Sequence, residues 1–222
     1  MASITTENYL KQILLLSEEM ECERVPMGKV AERMQVVPGT ATTMVKAMDR
    51  AGWLQYTPRE GVSLTDDGSQ LALKVLRKHR VVEMFLVEAL KLDWSEIHHE
   101  AEALEHAVSD KVLDRMDEYL GRPAYDPHGD PIPSRLGELK SRKLQPLSEC
   151  KSGQIVQIAQ IKQQDARFLQ FLDRSGLTPG SQVHVIGHDA VADLHELETK
   201  PHGKKLHLGG KAAESIWVSA QK

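Results

Sequence analysis

VPMGKVAERMQVVPGTATTMVKAMDRAGWLQYTPREGVSL, residues 25–64, is the stretch whose reading decides the fold. VPMGKVAERMQV reads as a short helix in which Val30, Ala31 and Met34 face a core. VPGTATTMVKAMDRAGW reads as a turn leading into a second helix. Met44, Val45 and Met48 turn to the core there, and Gly52 closes the helix. Two short helices joined by a tight turn outline a helix-turn-helix. Trp53 to Tyr56 then supply a strand, Pro58 to Gly61 a turn and Val62 to Leu64 a return strand, which together make the β-wing of a winged helix.

The charge of this stretch agrees with nucleic-acid contact. From Met27 to Arg59 five basic residues (Lys29, Arg33, Lys46, Arg50 and Arg59) face only Glu32 and Asp49, in a chain whose formal net charge is −4. The net negative charge argues against indiscriminate nucleic-acid binding, while this segment is locally basic. Thr40, Thr42, Thr43 and Lys46 occupy the early outer surface of the second helix, as a helix entering the major groove requires. Lys29, Pro38 and Arg50 complete the candidate DNA-facing set, with Arg59 at the wing tip as a phosphate contact.

The remaining composition narrows the class. The chain has 222 residues, 41% of them hydrophobic and only 5% aromatic, which suits aliphatic, largely helical cores and excludes disorder. Cys22 and Cys150 lie far apart and outside any C-x-x-C, so they read as reduced thiols rather than a disulfide framework or a thiolate zinc site. The start, MASITTENYLKQILLLSEEM, carries Glu7, Glu18 and Glu19 among its apolar positions and reads as an amphipathic helix, not a signal peptide. No apolar run approaches the length of a membrane span, and a cytoplasmic protein is expected.

The densest chemistry follows the wing. His79 with Glu83, and His98 with Glu102, Glu105 and His106, repeat at spacings that align side chains on one face of a helix. One such pair is usually a solvated acidic face, but two helices repeating it point to a divalent metal site. Repulsion among Glu83, Glu102, Glu105 and nearby Glu100 predicts a loose arrangement until a cation is present. The run HHEAEALEH misses the H-E-x-x-H of a metalloprotease because Ala103 stands where the second His would be. Ala103 also breaks the Glu-x-x-His pairing that a four-helix di-metal oxidase needs, and no nucleophile elbow or phosphate loop occurs. An enzyme is therefore not expected.

Ser109 to Leu120 reads as a further helix capped by Ser109. Its Val112, Leu113 and Met116, with Val81, Val82, Phe85, Leu86 and Leu90, offer an apolar surface for a two-fold partner. Residues 121–149, rich in Pro and Gly, read as an extended linker, with His128 a surface residue inside it. Beyond it, strands are expected at Gln154–Ile161, Gln182–Ile186, Asp193–Leu197, Lys205–Leu208 and Ser215–Val218, with a helix at Ala166–Ser175, making a small β-barrel.

The segments TTENYLKQI, VAERMQVVPGTATTMVKAMDRAGW, LRKHRVVEMF, IHHEAEALEHAVSD and PHGDPIP together resemble the diphtheria toxin repressor family of metal-dependent transcriptional regulators, over nearly the whole chain. The resemblance implies a mainly α N-terminal winged helix-turn-helix (1–72), a helical metal-binding and dimerisation domain (73–140) and a small all-β SH3-like barrel (150–222). It implies a homodimer that binds double-stranded DNA at a palindromic operator when its metal site is filled, and that represses metal-uptake genes. Asn8, His79, Glu83, His98, Glu102, Glu105 and His106 match the family's ligand positions. Iron-sensing members carry Met and Cys where this chain has Asn8 and Glu102, whereas manganese-sensing members carry Asp and Glu. Glu102 therefore favours Mn(II), with Fe(II) the alternative, and an oxygen-and-imidazole donor set agrees. Asn8, and Lys11 in place of an acid, depart from the manganese pattern. The SH3-like positions that lend ligands in the iron branch correspond to Gln164 and Arg167, and an arginine cannot ligate a cation.

Overall fold

The computed structural model describes residues 2–140, 142–201 and 203–220. The chain packs as two units: Met1–His79 with Leu104–Ser109 and Pro133–Leu139, and Arg80–Ala103 with Asp110–Ile132 and Lys140–Lys222.

The first unit begins with α1 (Ile4–Glu19), whose entry is fixed by the Ser3 hydroxyl accepting from the Thr6 amide. It continues through α2 (Met27–Arg33), α3 (Pro38–Arg50), the strands β1 (Leu54–Thr57) and β2 (Gly61–Leu64), and into α4 (Asp66–Glu88). Leu10 and Ile13 of α1 join Val30, Ala31, Ala41, Val45, Met48, Leu54 and Val62 in one apolar core, while Met34 and Met44 pack at its margin. The helix-turn-helix expected from residues 25–52 is therefore present. Its second helix starts at Pro38 itself, because proline has no amide to leave unsatisfied in a first turn and its φ is already helical.

The wing pairs Leu54 with Leu64 and Tyr56 with Val62. Val25 adds a third rung: its amide donates to Val62 O at 2.8 Å and its carbonyl accepts from Val62 N at 3.0 Å. That approach requires Gly61, at φ 119°, since a Cβ there would lie 2.4 Å from Val25 O. Thr65 then caps α4 by accepting from the Gly68 amide at 3.1 Å.

The second unit holds the C-terminal part of α4, most of α5 (Ile97–Glu105), α6 (Asp110–Tyr119) and an antiparallel sheet. The apolar surface expected on these helices is only partly free. Val81, Val82, Leu86 and Leu113 are buried within the chain, whereas Leu90, Leu92, Val112 and Tyr119 are exposed.

The stretch expected as an extended linker is folded over residues 124–132. Ile132 N donates to Ala124 O at 2.9 Å, Asp126 N donates to Asp130 O at 2.9 Å, and the Arg142 guanidinium lies 3.6 Å from the Tyr125 ring centroid. His128, expected at the surface, is 1% exposed. Its flanking Pro and Gly make a tight turn that packs inward, so turn chemistry was legible there and burial was not.

The sheet order is β3 (Gln145–Pro146), β8 (Ile216–Ala220), β4 (Ile155–Ile161), β5 (Gln182–Asp189), β6 (Leu194–Lys200), β7 (Lys205–Gly209). Register shifts at Ile158/Gln160 and Val185/Gly187 bend it around a core that includes Ile158, Leu172, Val183, Leu197 and Val218. A 3₁₀ turn at Leu147–Glu149 enters the sheet. α7 (Ala166–Ser175) has the expected bounds because both of its ends are written locally. Asp165 accepts from the Phe168 amide, and Gly176 closes the helix at φ 70°. α8 (Gly210–Glu214), a single turn capped by Gly209, lies in a stretch whose sequence carries no helix signal.

His188 and His195 face each other across β5 and β6 with rings stacked 4.2 Å apart, and His195 is buried. Burial, and then His188, hold the His195 imidazole below its usual pKa, against the opposing pull of Asp193. A histidine whose folded pKa is depressed binds its proton more readily unfolded, so stability falls as pH drops below the unfolded value of about 6.5. The melting temperature should therefore decline on acidification from neutral pH, and His195→Phe should flatten that decline. An unchanged profile in the variant would refute the assignment.

Candidate metal centre and DNA-facing surface

Within the first unit, the donors converge on His106. Its Nε2 lies 2.7 Å from Asn8 Oδ1 and 3.2 Å from Glu105 Oε1, while its Nδ1 lies 2.7 Å from Glu7 Oε2. Asn8 Oδ1 and the Glu105 carboxylate accept only, so an ion bound at Nε2 would take the place of a proton there, while the Nδ1 proton stays with the Glu7 carboxylate. This is the usual outer partner of a metal-binding imidazole. Three donor atoms within 3.2 Å of His106 Nε2 or at it, two oxygens and one nitrogen, fit a divalent ion of oxygen and imidazole preference. α1 supplies Glu7 and Asn8, so such a centre would fasten the first helix of the winged-helix unit to the end of α5.

Glu105 is 0% exposed, and Lys11, 2% exposed, reaches both of its oxygens at 2.7 and 2.9 Å. His79 Nδ1 lies 2.7 Å from Glu105 Oε2. Burial would raise the Glu105 pKa, but the His79 hydrogen bond and the Lys11 charge hold it below the usual carboxylate value. The repulsion expected among the acids is thus relieved at Glu105 by an internal cation from α1. Sequence reading noted Lys11 only as a departure and missed Glu7 altogether. Neither contact has a local signal, since Lys11 and Glu105 are 94 residues apart.

Within the second unit, His98 Nδ1 lies 3.5 Å from Glu83 Oε1 and His98 Nε2 lies 3.6 Å from Glu102 Oε1. Glu83 is buried, whereas His98 is exposed and Glu102 half-buried. His79 stands one turn before Glu83 along α4, and Glu102 one turn before Glu105 along α5. Asp126 and His128 adjoin Glu83, and the Arg80 guanidinium Nε is 3.6 Å from Asp126 Oδ2. Burial, with Asp130 and Glu83, pushes the Asp126 carboxyl well above its usual range. Gln164, the expected counterpart of an ancillary ligand, donates to Asp130 Oδ2 at 2.7 Å, and Arg167 is exposed.

The DNA-facing candidates are all on α2, α3 or the wing. Lys29, Pro38, Thr40, Thr43, Lys46, Arg50 and Arg59 are exposed and Thr42 is half-buried. The Thr42 and Thr43 hydroxyls donate to Pro38 O and Gly39 O at 2.8 and 2.9 Å, which leaves their lone pairs and methyl groups for a groove. Lys29 pairs with Glu32 at 2.9 Å on the exposed face of α2.

A winged helix-turn-helix joined to a carboxylate–imidazole cluster, and followed by a small β-domain, defines a metal-dependent DNA-binding regulator. Comparison with known proteins agrees. Residues 1–62 match the iron dependent repressor N-terminal DNA binding domain, 65–134 the iron dependent repressor metal binding and dimerisation domain, and 145–220 the FeoA domain. The diphtheria toxin repressor of Corynebacterium glutamicum is 34% identical over 194 residues, covering 82% of this chain and 83% of the relative. The iron-dependent repressor IdeR of Mycobacterium tuberculosis is 34% identical over 217 residues, covering 89% and 93%. A manganese-dependent transcriptional repressor in complex with manganese superposes with a TM-score of 0.87 at 34% identity, covering 97% of this chain and all of that one. The manganese regulator SloR superposes with a TM-score of 0.74 at 30% identity, covering 97% and 98%. The chain belongs to the diphtheria toxin repressor family of iron-dependent repressors, and it is a metal-dependent transcriptional repressor, not an enzyme.

Proposed function

We propose that this repressor is activated by Mn(II), acts in the cytoplasm as a homodimer on a palindromic operator, and represses genes of metal uptake. The observation that carries the reading is the convergence of Asn8 Oδ1, Glu105 Oε1 and His106 Nε2, with Nδ1 of His106 held by Glu7. In this reading Glu102, half-buried and one turn from Glu105 along α5, is a further carboxylate for that group, while His79, Glu83 and His98 form a second. A donor set without sulfur favours Mn(II) over a softer ion, and Fe(II) remains the alternative because relatives include both iron- and manganese-dependent repressors. The Lys11 ammonium already neutralises Glu105, which argues against a second ion beside that carboxylate.

In this reading residues 1–72 read DNA, 73–140 bind metal and dimerise, and 150–222 form the SH3-like domain. The exposed Leu90, Leu92, Val112 and Tyr119 suit the two-fold contact. A bound ion supplies the positive charge that makes the cluster compact. Asn8 and Glu7 then hold α1 to His106, and one spacing of the two recognition helices is selected. Lys29, Pro38, Thr40, Thr42, Thr43, Lys46, Arg50 and Arg59 meet the operator. Lys46→Ala should weaken binding to all sequences alike and lower the salt slope by about 1. A changed base preference with an unchanged slope would mean that Lys46 reads a base edge instead.

Selection of operators from random DNA with Mn(II) present tests the dimer and the ion together. A two-fold symmetric consensus is expected, and a pool without symmetry would overturn the dimeric reading. Equal selection by anaerobic Fe(II) would overturn manganese preference.

A further inference from the structure

The β5–β6 hairpin of the C-terminal sheet gathers a third set of donors, none of which belongs to the groups described above. His188 on β5 is paired with His195 on β6, and directly opposed residues share a face of the sheet. Their rings stack with centroids 4.2 Å apart and planes 14° from parallel. The turn between the strands brings Asp193 back beside them, with its Oδ1 3.6 Å from His188 Nε2. One ligand atom from each of the three residues lies within 4.8 Å of the others.

His195 is 2% exposed, and its Nδ1 is buried with no hydrogen-bond partner among the described residues. A buried polar atom left unpaired costs free energy that a ligand bound there would recover. The burial that holds the His195 imidazole below its usual pKa also keeps a lone pair on the ring near neutral pH, as cation binding requires. Asp193 is held in place by its backbone. It sits at φ 50°, a conformation that Asp tolerates better than most residues, and its carbonyl accepts from the Gly210 amide at 3.0 Å. Its carboxylate packs so near Gly210 that a Cβ there would lie 2.3 Å from either oxygen, so the glycine makes the room it occupies.

We propose that His188, Asp193 and His195 bind a divalent cation of the Zn(II) class on this hairpin, with water completing the coordination. Two imidazoles and one carboxylate make a three-ligand zinc set with an open fourth position. Donors on a tetrahedral ion with bonds of about 2.0–2.1 Å stand about 3.3–3.4 Å apart. The 3.6 Å between His188 and Asp193 is close to that span. Parallel stacked rings cannot both hold one ion in their planes, so binding turns one ring out of the stack. His188, 42% exposed, is the ring with room to turn, while His195 is fixed by burial. Two nitrogen donors place Zn(II) above Mn(II) in affinity, so this hairpin would answer to a different ion from the Asn8, Glu105 and His106 centre.

Nitrogen NMR of the full chain tests the site at neutral pH, with His188→Gln and His195→Gln assigning the two rings. Added Zn(II) should move one ring nitrogen of each histidine from the position of a lone-pair nitrogen to that of a metal ligand, saturably and together. Asn also tolerates the φ of residue 193, so Asp193→Asn keeps the hairpin and removes the charge. It should weaken the response by about tenfold or more. Ring nitrogens of His188 and His195 that do not move with Zn(II) in excess would overturn the proposal, as would an undiminished response in Asp193→Asn. Operator binding by Asp193→Asn in Mn(II) should match that of the parent, and its loss would overturn the independence of this site from the metal centre.

Discussion

Glu105→Ala should cost about 3–5 kcal/mol of stability, because it leaves a buried ammonium without the carboxylate that holds it. Lys11 and Glu105 are 2% and 0% exposed, and both oxygens of Glu105 accept from Lys11. His79 loses its 2.7 Å contact with Glu105 at the same time. The effect comes from removing one partner of a buried pair and not from the contact's net worth. Replacing both partners by apolar groups of similar size, Lys11→Met with Glu105→Leu, should therefore recover most of the loss. Denaturant melts of the three proteins decide the matter. A single variant that loses less than about 1 kcal/mol would mean that water reaches Lys11, and the internal cation would not organise the cluster.

Glu102→Ala should have the converse profile. Glu102 is 42% exposed and lies 3.6 Å from His98, itself 50% exposed, so the fold should change by no more than about 0.5 kcal/mol. Metal affinity should fall by more than the roughly 10–100-fold seen on losing a second-sphere partner, since a charged ligand is removed outright. Metal-stimulated operator binding should then be lost while melting without metal is unaltered. Equal operator affinity with and without metal in both proteins would defeat the account, and a variant that keeps the full metal response would remove Glu102 from the centre.

These two residues also show how far the sequence could be read. The spacing of His98, Glu102 and Glu105 is a local statement about one helix, and all three lie within α5, whereas His106, read as part of the same stripe, falls just beyond its end. The helix-turn-helix, the wing and α7 were legible for the same reason, each being written in apolar periodicity, a proline, a glycine or an Asx cap within a few residues. Lys11 and Glu7 were not, because their partners come from a segment almost a hundred residues away. His128 went the other way: Pro and Gly around it correctly mark a turn, but burial of that turn depends on the close approach of Gly129 to β4. The apolar face of α4 was also over-read. A run such as Val81, Val82 and Leu86 looks the same in sequence whether it meets a second chain or its own.

The most direct test of the central claim is the affinity of the full-length protein for a selected operator duplex with Mn(II), then with a chelator added, and then with Mn(II) restored in excess. Tight binding that is lost to the chelator and recovered with the ion, while the melting curve keeps a single cooperative transition throughout, is the predicted result. Binding that ignores the chelator would mean that the Asn8, Glu105 and His106 cluster is not the switch. Unfolding on chelation would make its ion structural rather than sensed.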